Sequence, residues 1–100
     1  MTPGNFDITQ EGNKLTIQGR IDSVNAVELG DKLEQVLQEG QNHIILNMLR
    51  VDYLCSTGIR MILKAYKEAK AAGGRLSIEK PSECVKNVLG LVALNEMLVE

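Results

Sequence analysis

Val51-Asp52-Tyr53-Leu54-Cys55-Ser56-Thr57-Gly58-Ile59-Arg60 decides how this chain is read. Before it lies Ile44-Ile45-Leu46-Asn47-Met48, an apolar run of strand length, and from Ile59 to Ala72 the residues Ile59, Ile62, Leu63, Tyr66 and Ala69 recur on one helical face. A strand therefore hands over to a helix here, and Leu49 to Ser56 reads as the loop between them. In open α/β sheets ligands and chemistry collect at that carboxyl edge, and the hydroxyl pair Ser56-Thr57 falls on it.

Toward the N-terminus, Phe6-Asp7-Ile8-Thr9-Gln10 and Leu15-Thr16-Ile17-Gln18-Gly19-Arg20-Ile21 alternate apolar with polar, as strands with one buried face do. Glu11-Gly12-Asn13-Lys14 between them predicts a hairpin turn. From Ser23 to Glu39 the residues Ala26, Leu29, Leu33, Val36 and Leu37 keep helical spacing, with Asp22 or Ser23 as the cap and Gly40 as the stop. Toward the C-terminus, Gly73-Gly74 closes the second helix, Arg75 to Glu79 alternates again, Pro81-Ser82 opens a third helix to about Leu91, and Glu96-Met97-Leu98-Val99 predicts a short last strand. The order β-β-α-β-α-β-α-(β) implies right-handed crossovers between parallel neighbours. The fold class expected is α/β, a mixed four- to five-stranded sheet with helices mainly on one face and the other face wet or used for contact.

One hundred residues make one domain, over 1–100, burying roughly 60–70% of the surface its unfolded chain exposes. Eleven basic against thirteen acidic side chains leave no electrostatic footprint for nucleic acid or an anionic membrane surface. No apolar run approaches a membrane span, and Met1-Thr2-Pro3-Gly4-Asn5 is no signal segment, so a cytoplasmic protein is expected. Cys55 and Cys84 stand in no metal-ligand or redox spacing, so reduced thiols are the default, and His43 is the only histidine, so no His-based metal site is expected.

Two readings of Ser56 are open from spacing alone. It caps the following helix, worth about 1 kcal/mol, or it accepts a phosphate, whose charge of roughly −1.5 to −2 suits a helix N-terminus. On the second reading Arg60, one turn on, reaches the phosphate, Asp22 from the neighbouring strand end is repelled by it, and Gly58 leaves the backbone open to a partner. Arg60, Lys64, Lys67 and Lys70 give the helix a basic side, tempered by Glu68, that reads either as a solvated face or as a dock for an acidic partner. Cys55, just before the helix, reads either as a residue packed under the turn or as a reactive thiol.

The element order, together with Gly19-Arg20-Ile21-Asp22, Asp52 to Arg60 with its Ser56-Thr57-Gly58 turn, and Gly73-Gly74-Arg75-Leu76, resembles the STAS domain of bacterial anti-sigma factor antagonists over nearly the whole chain. The resemblance implies a non-enzymatic partner-switching protein. Unphosphorylated, it would bind an anti-sigma factor that is also a serine kinase of the histidine-kinase-like ATPase type. Phosphorylation of the turn serine would end binding, and a serine phosphatase would restore it. Ser56 aligns with the phosphorylated serine, Thr57 being the alternative, and Asp22 with the acidic residue beside it. Asp22, Ser23, Cys55, Ser56, Thr57, Gly58, Arg60 and Lys64 are the partner-binding residues implied. ATP in such systems belongs to the kinase, so the resemblance implies no cofactor for this chain. The sequence departs from the family pattern at Cys55, where many members have Asp, and in ending at Glu100, short of the last helix many members carry. Two other classes compete: a constitutive STAS subunit of a transporter, as in lipid trafficking, or of a signalling complex, and a small thiol enzyme built on Cys55.

Overall fold

The computed structural model describes residues 6–91 and 98–99. Five strands and three helices follow one another as β1 (Asp7–Glu11), β2 (Lys14–Ile21), α1 (Asn25–Gln38), β3 (His43–Leu54), α2 (Ser56–Ala71), β4 (Arg75–Glu79), α3 (Glu83–Leu91) and β5 (Leu98–Val99). The strands lie in the sheet in chain order, β1-β2-β3-β4-β5. β1 pairs antiparallel with β2, and every later pair is parallel. The sheet is therefore mixed, as expected. Of the last strand read from the sequence, Leu98–Val99 is strand, and Glu96 and Met97 lie outside the described residues.

The hairpin turns at Gly12, whose φ of +62° suits a residue without Cβ. Asn13 then ties the turn to β3: its Nδ2 donates to the His43 carbonyl at 2.6 Å, and its own carbonyl accepts from the Ile45 amide at 3.0 Å. Three crossovers, through α1, α2 and α3, each step one strand in the same direction. Right-handed connections of that kind put all three helices on one face. The core fills the space between: Leu15, Ile17 and Ile21 of β2, Ile44, Leu46 and Met48 of β3, and Leu76 and Ile78 of β4 pack with Leu29, Leu33 and Val36 of α1, Ile62 of α2 and Val85 of α3. On the opposite face the Lys14 ammonium meets the Glu79 carboxylate at 2.6 Å, spanning from β2 to β4 across β3.

α2 sits on the sheet by a smaller-sided stripe than its apolar residues predict. Gly58, Ile62, Ala65 and Ala69 are the buried positions, while Ile59 and Tyr66 are half-buried against the core and Leu63 is half-exposed. Small side chains bring the helix close to its neighbours. A Cβ on Gly58 would stand 2.8 Å from Leu54 Cδ1 and 2.9 Å from Ile21 Cγ2. The space that the sequence reading offers to a partner at Gly58 is thus taken by the chain's own core.

The largest departure from the sequence reading is β3. Leu49 to Leu54 is strand rather than loop, and it continues to pair with β2, Gly19 facing Val51 and Ile21 facing Leu54. Two register shifts, between Thr16 and Gln18 and between Gly19 and Arg20, each give β3 one residue more than β2. Such bulges carry the inward positions from alternation to every third residue, Met48, Val51 and Leu54. Beyond Asn47, β4 no longer pairs with β3. Its place is taken by Ser82, whose amide donates to the Met48 carbonyl at 3.2 Å and whose hydroxyl donates to the Val51 carbonyl at 2.6 Å. Ser82 also caps α3, its Oγ accepting from the Val85 amide at 3.2 Å.

Candidate functional site

The parallel pair β2 and β3 ends at one edge of the sheet, and the last bond of the ladder runs from the Cys55 amide to the Ile21 carbonyl at 3.0 Å. Asp22 and Cys55-Ser56 follow directly on the two strands, so the topology brings them to neighbouring chain ends. Each end starts a helix by a different device.

At the end of β2, the Asp22 carboxylate accepts from the amides of Val24 at 3.0 Å and Asn25 at 2.9 Å, while its carbonyl accepts from Ala26 at 2.9 Å. Asp22 therefore supplies the cap of α1. Ser23 is exposed in the turn and makes no capping bond, and the helix begins at Asn25, two residues after the Ser23 start read from the sequence. The Asn25 side chain closes the turn by donating to the Arg20 carbonyl at 2.6 Å.

At the end of β3, the cap of α2 is Cys55. Its backbone is extended, at φ −83° and ψ 170°, and its Sγ accepts from the Gly58 amide at 3.4 Å. Ser56 is the first helical residue, exposed, and its hydroxyl has no hydrogen-bond partner among the described residues. This corrects the capping reading of Ser56: the task is done one residue earlier, by a thiol. Cys55 is half-buried and packed against the core, the placement under the turn that the sequence offers as one of its two fates.

Thr57 is half-buried, whereas Arg60 and Lys64 are exposed. Ser56, Arg60 and Lys64 are four residues apart and so share one face of α2. The described residues include no group of three or more His, Cys, Asp or Glu that could hold a metal ion, and no helix among them is long and apolar enough to cross a membrane.

Two features of this edge were not foreseen from the sequence. The Arg20 guanidinium lies 4.0 Å from the Tyr53 ring centroid, a cation–π contact on the face away from the helices. It depends on Arg20 facing Tyr53, which the second bulge brings about. The other feature is Val24 and Val27, exposed at the start of α1. A valine with no place in the Ala26, Leu29, Leu33 stripe was the only available signal.

The STAS domain family profile matches residues 5–99. The anti-sigma-B factor antagonist of Bacillus subtilis is 28% identical over 96 residues, covering 94% of this chain and 87% of that protein. BtrV of Bordetella bronchiseptica, a candidate anti-sigma factor antagonist, is 32% identical over 60 residues, 60% of this chain and 52% of BtrV. The match thus spans about half the length of BtrV. Among solved structures, the anti-sigma factor antagonist SpoIIAA in its unphosphorylated form superposes with a TM-score of 0.80 at 21% identity, over 95% of this chain and 86% of SpoIIAA. Its phosphorylated form gives 0.74 at 21% identity, over 95% and 89%. At that identity the likeness speaks for the fold.

Proposed function

Since the chain belongs to the STAS domain family, we propose that it is an anti-sigma factor antagonist whose docking edge is switched by phosphorylation of Ser56. Unphosphorylated, it binds an anti-sigma factor that is also a serine kinase. Phosphorylated, it is released, and a serine phosphatase resets it. The chain acts as a binding module, and nucleotide chemistry belongs to its partner.

The observation that carries this reading is the freedom of the Ser56 hydroxyl. A serine that caps a helix has its oxygen engaged by an amide and its position fixed by the turn. Here Cys55 takes the amide, and Ser56 stands exposed on the first turn, accessible to a kinase without unfolding. A phosphate there adds roughly −1.5 to −2 charge where the helix dipole tolerates it. The fold is kept while the surface is changed, as an on/off docking switch requires. SpoIIAA, with the same fold, exists in both phosphorylated and unphosphorylated forms. Asp22 adds a fixed negative charge beside the turn, but its Oδ1 is already committed to α1. Its contribution to a partner is through its field and its remaining oxygen.

The test is peptide mass spectrometry on the protein from its own cells under phosphatase inhibition, paired with binding by Ser56→Ala and Ser56→Asp. Partial phosphate on Ser56, retained binding by the alanine variant and lost binding by the aspartate variant are expected. Phosphate on Thr57 instead moves the switch by one residue. No phosphate across growth and stress conditions, with binding by both variants, replaces the switch by a constitutive STAS subunit.

A further inference from the structure

β1 ends the sheet, and no described element pairs with its outer side. Glu11 and Lys14 are the pair that closes the hairpin, and in a tight turn the carbonyl of the first residue takes the amide of the fourth. Alternation along the ladder then points the backbone groups of Asp7, Thr9 and Glu11 toward β2 and those of Ile8 and Gln10 outward. Their N–H and C=O groups form a template for one more strand.

Both sides of that opening are acidic. Toward the helices, a cleft of about 320 Å³ runs between β1 and α1, lined by Ile8, Glu28, Asp31, Lys32 and Gln35. Two carboxylates meet one cation there, around an isoleucine that the core covers only in part. On the opposite side Asp7 and Glu11 flank Thr9, all three exposed. The bases closest to them are engaged elsewhere. The Lys14 ammonium, cross-strand from Glu11, lies on the Glu79 carboxylate, and the Arg20 guanidinium lies on the Tyr53 ring of β3. Asp7, Glu11, Glu28, Asp31 and Lys32 have no ion pair among the described residues.

We propose that the open side of β1 takes an extended basic segment of a partner protein as a sixth strand, with cations opposite Asp7 and Glu11 and an apolar side chain beside Ile8. Main-chain pairing supplies the adhesion and the charges supply the choice of segment. A second copy of this chain is the wrong occupant. Antiparallel pairing of β1 with itself over all five residues sets Asp7 against the other copy's Glu11 at both ends, and like charges directly opposite each other destabilise a sheet. Carboxylates that guard the edge against its own kind favour a strand of opposite charge, because opposite charges at facing positions stabilise the pair. Ser56 takes no part in this contact.

The experiment titrates the ¹⁵N-labelled full chain with the end-capped peptide Lys-Val-Thr-Val-Lys and with Glu-Val-Thr-Val-Glu. Each sequence reads the same in both directions, so parallel and antiparallel addition are both allowed. With the basic peptide the Ile8 and Gln10 amides should shift and exchange more slowly, and the acidic peptide should bind at least about tenfold more weakly. Asp7→Lys/Glu11→Lys should reverse that preference. Gln10→Pro removes one outward N–H and no bond to β2, giving up within the chain only the exposed bond from Gln10 Nε2 to the Gly12 carbonyl. Its melting temperature should stay within a few degrees of wild type while peptide binding falls about tenfold. N-methylation of the three inner peptide residues removes the ladder donors at constant charge and should cause the same loss with no change to the protein. Binding that depends on charge and survives both Gln10→Pro and N-methylation is attraction without strand addition and overturns the proposal. So do an acidic peptide that binds within about twofold of the basic one, shifts confined to residues outside β1, and the absence of any shift with either peptide.

Discussion

The two halves of β3 do different work. From His43 to Asn47 the strand is paired on both sides, to β2 and β4, and Ile44 and Leu46 alternate inward without interruption. From Met48 to Leu54 it keeps only β2, takes two bulges, and turns Leu49 and Tyr53 outward, at 55% and 39% exposure. The regular half belongs to the core. The irregular half buys a surface, because each extra residue re-aims the side chains that follow and carries the chain to the edge where Cys55 and Ser56 begin α2. Regular pairing gives stability, and controlled departure from it gives presentation.

Leu46→Ala probes the regular half most severely. The residue is fully buried in the core, and a loss of about 2–5 kcal/mol in urea unfolding is expected. A loss below 1 kcal/mol would mean that the lower half is not the core of the molecule. Gly58→Val acts where the irregular half meets α2. Its Cβ would press on Leu54 and Ile21, so a cost of about 1–3 kcal/mol is expected, and an unchanged melting temperature would refute the close seating of the helix.

Ser82→Ala removes both the cap of α3 and the donor that replaces β4 beside Val51. About 0.5–2 kcal/mol is expected, with faster amide exchange in α3 than in β3 below Asn47. Equal protection of the two would erase the distinction between the halves. The smallest effect belongs to Ser56→Ala. With no hydrogen bond to lose, stability should move by less than about 0.5 kcal/mol. A loss of 1 kcal/mol or more by calorimetry would restore Ser56 as a helix cap and dissolve the argument for its freedom.

Most of the fold was legible in the sequence because it obeys periodicity. The alternation of β2 and the stripe Ala26, Leu29, Leu33, Val36 each announce one buried face, and β1 and β4 alternate in the same way, although Ser77 of β4 is buried beside Leu76 and Ile78. The upper half of β3 was not, because Met48, Val51 and Leu54 recur at a spacing that belongs to bulges rather than to an ideal strand. The same cause hid the Arg20–Tyr53 stack, which exists only after the second register shift. At the edge itself, the position of Ser56 at the handover from strand to helix could be read. Its release from capping could not, since cysteine is not among the usual caps and only the 3.4 Å approach of the Gly58 amide to Cys55 Sγ reveals the substitution.

The order of the strands across the sheet bears on how the protein is made. Because each strand lies beside the one before it in the chain, every pairing joins successive strands, and no strand is inserted between two earlier ones. Only β1 and β2 are joined by a short turn; each parallel pair must wait for a whole helix to cross over, and such non-local pairing is intrinsically slow. The edge that carries Ser56 is drawn from β2, α1, β3 and α2, which end at Ala71. That edge is thus assembled from four consecutive elements, and β4, α3 and β5 extend the sheet from its other side.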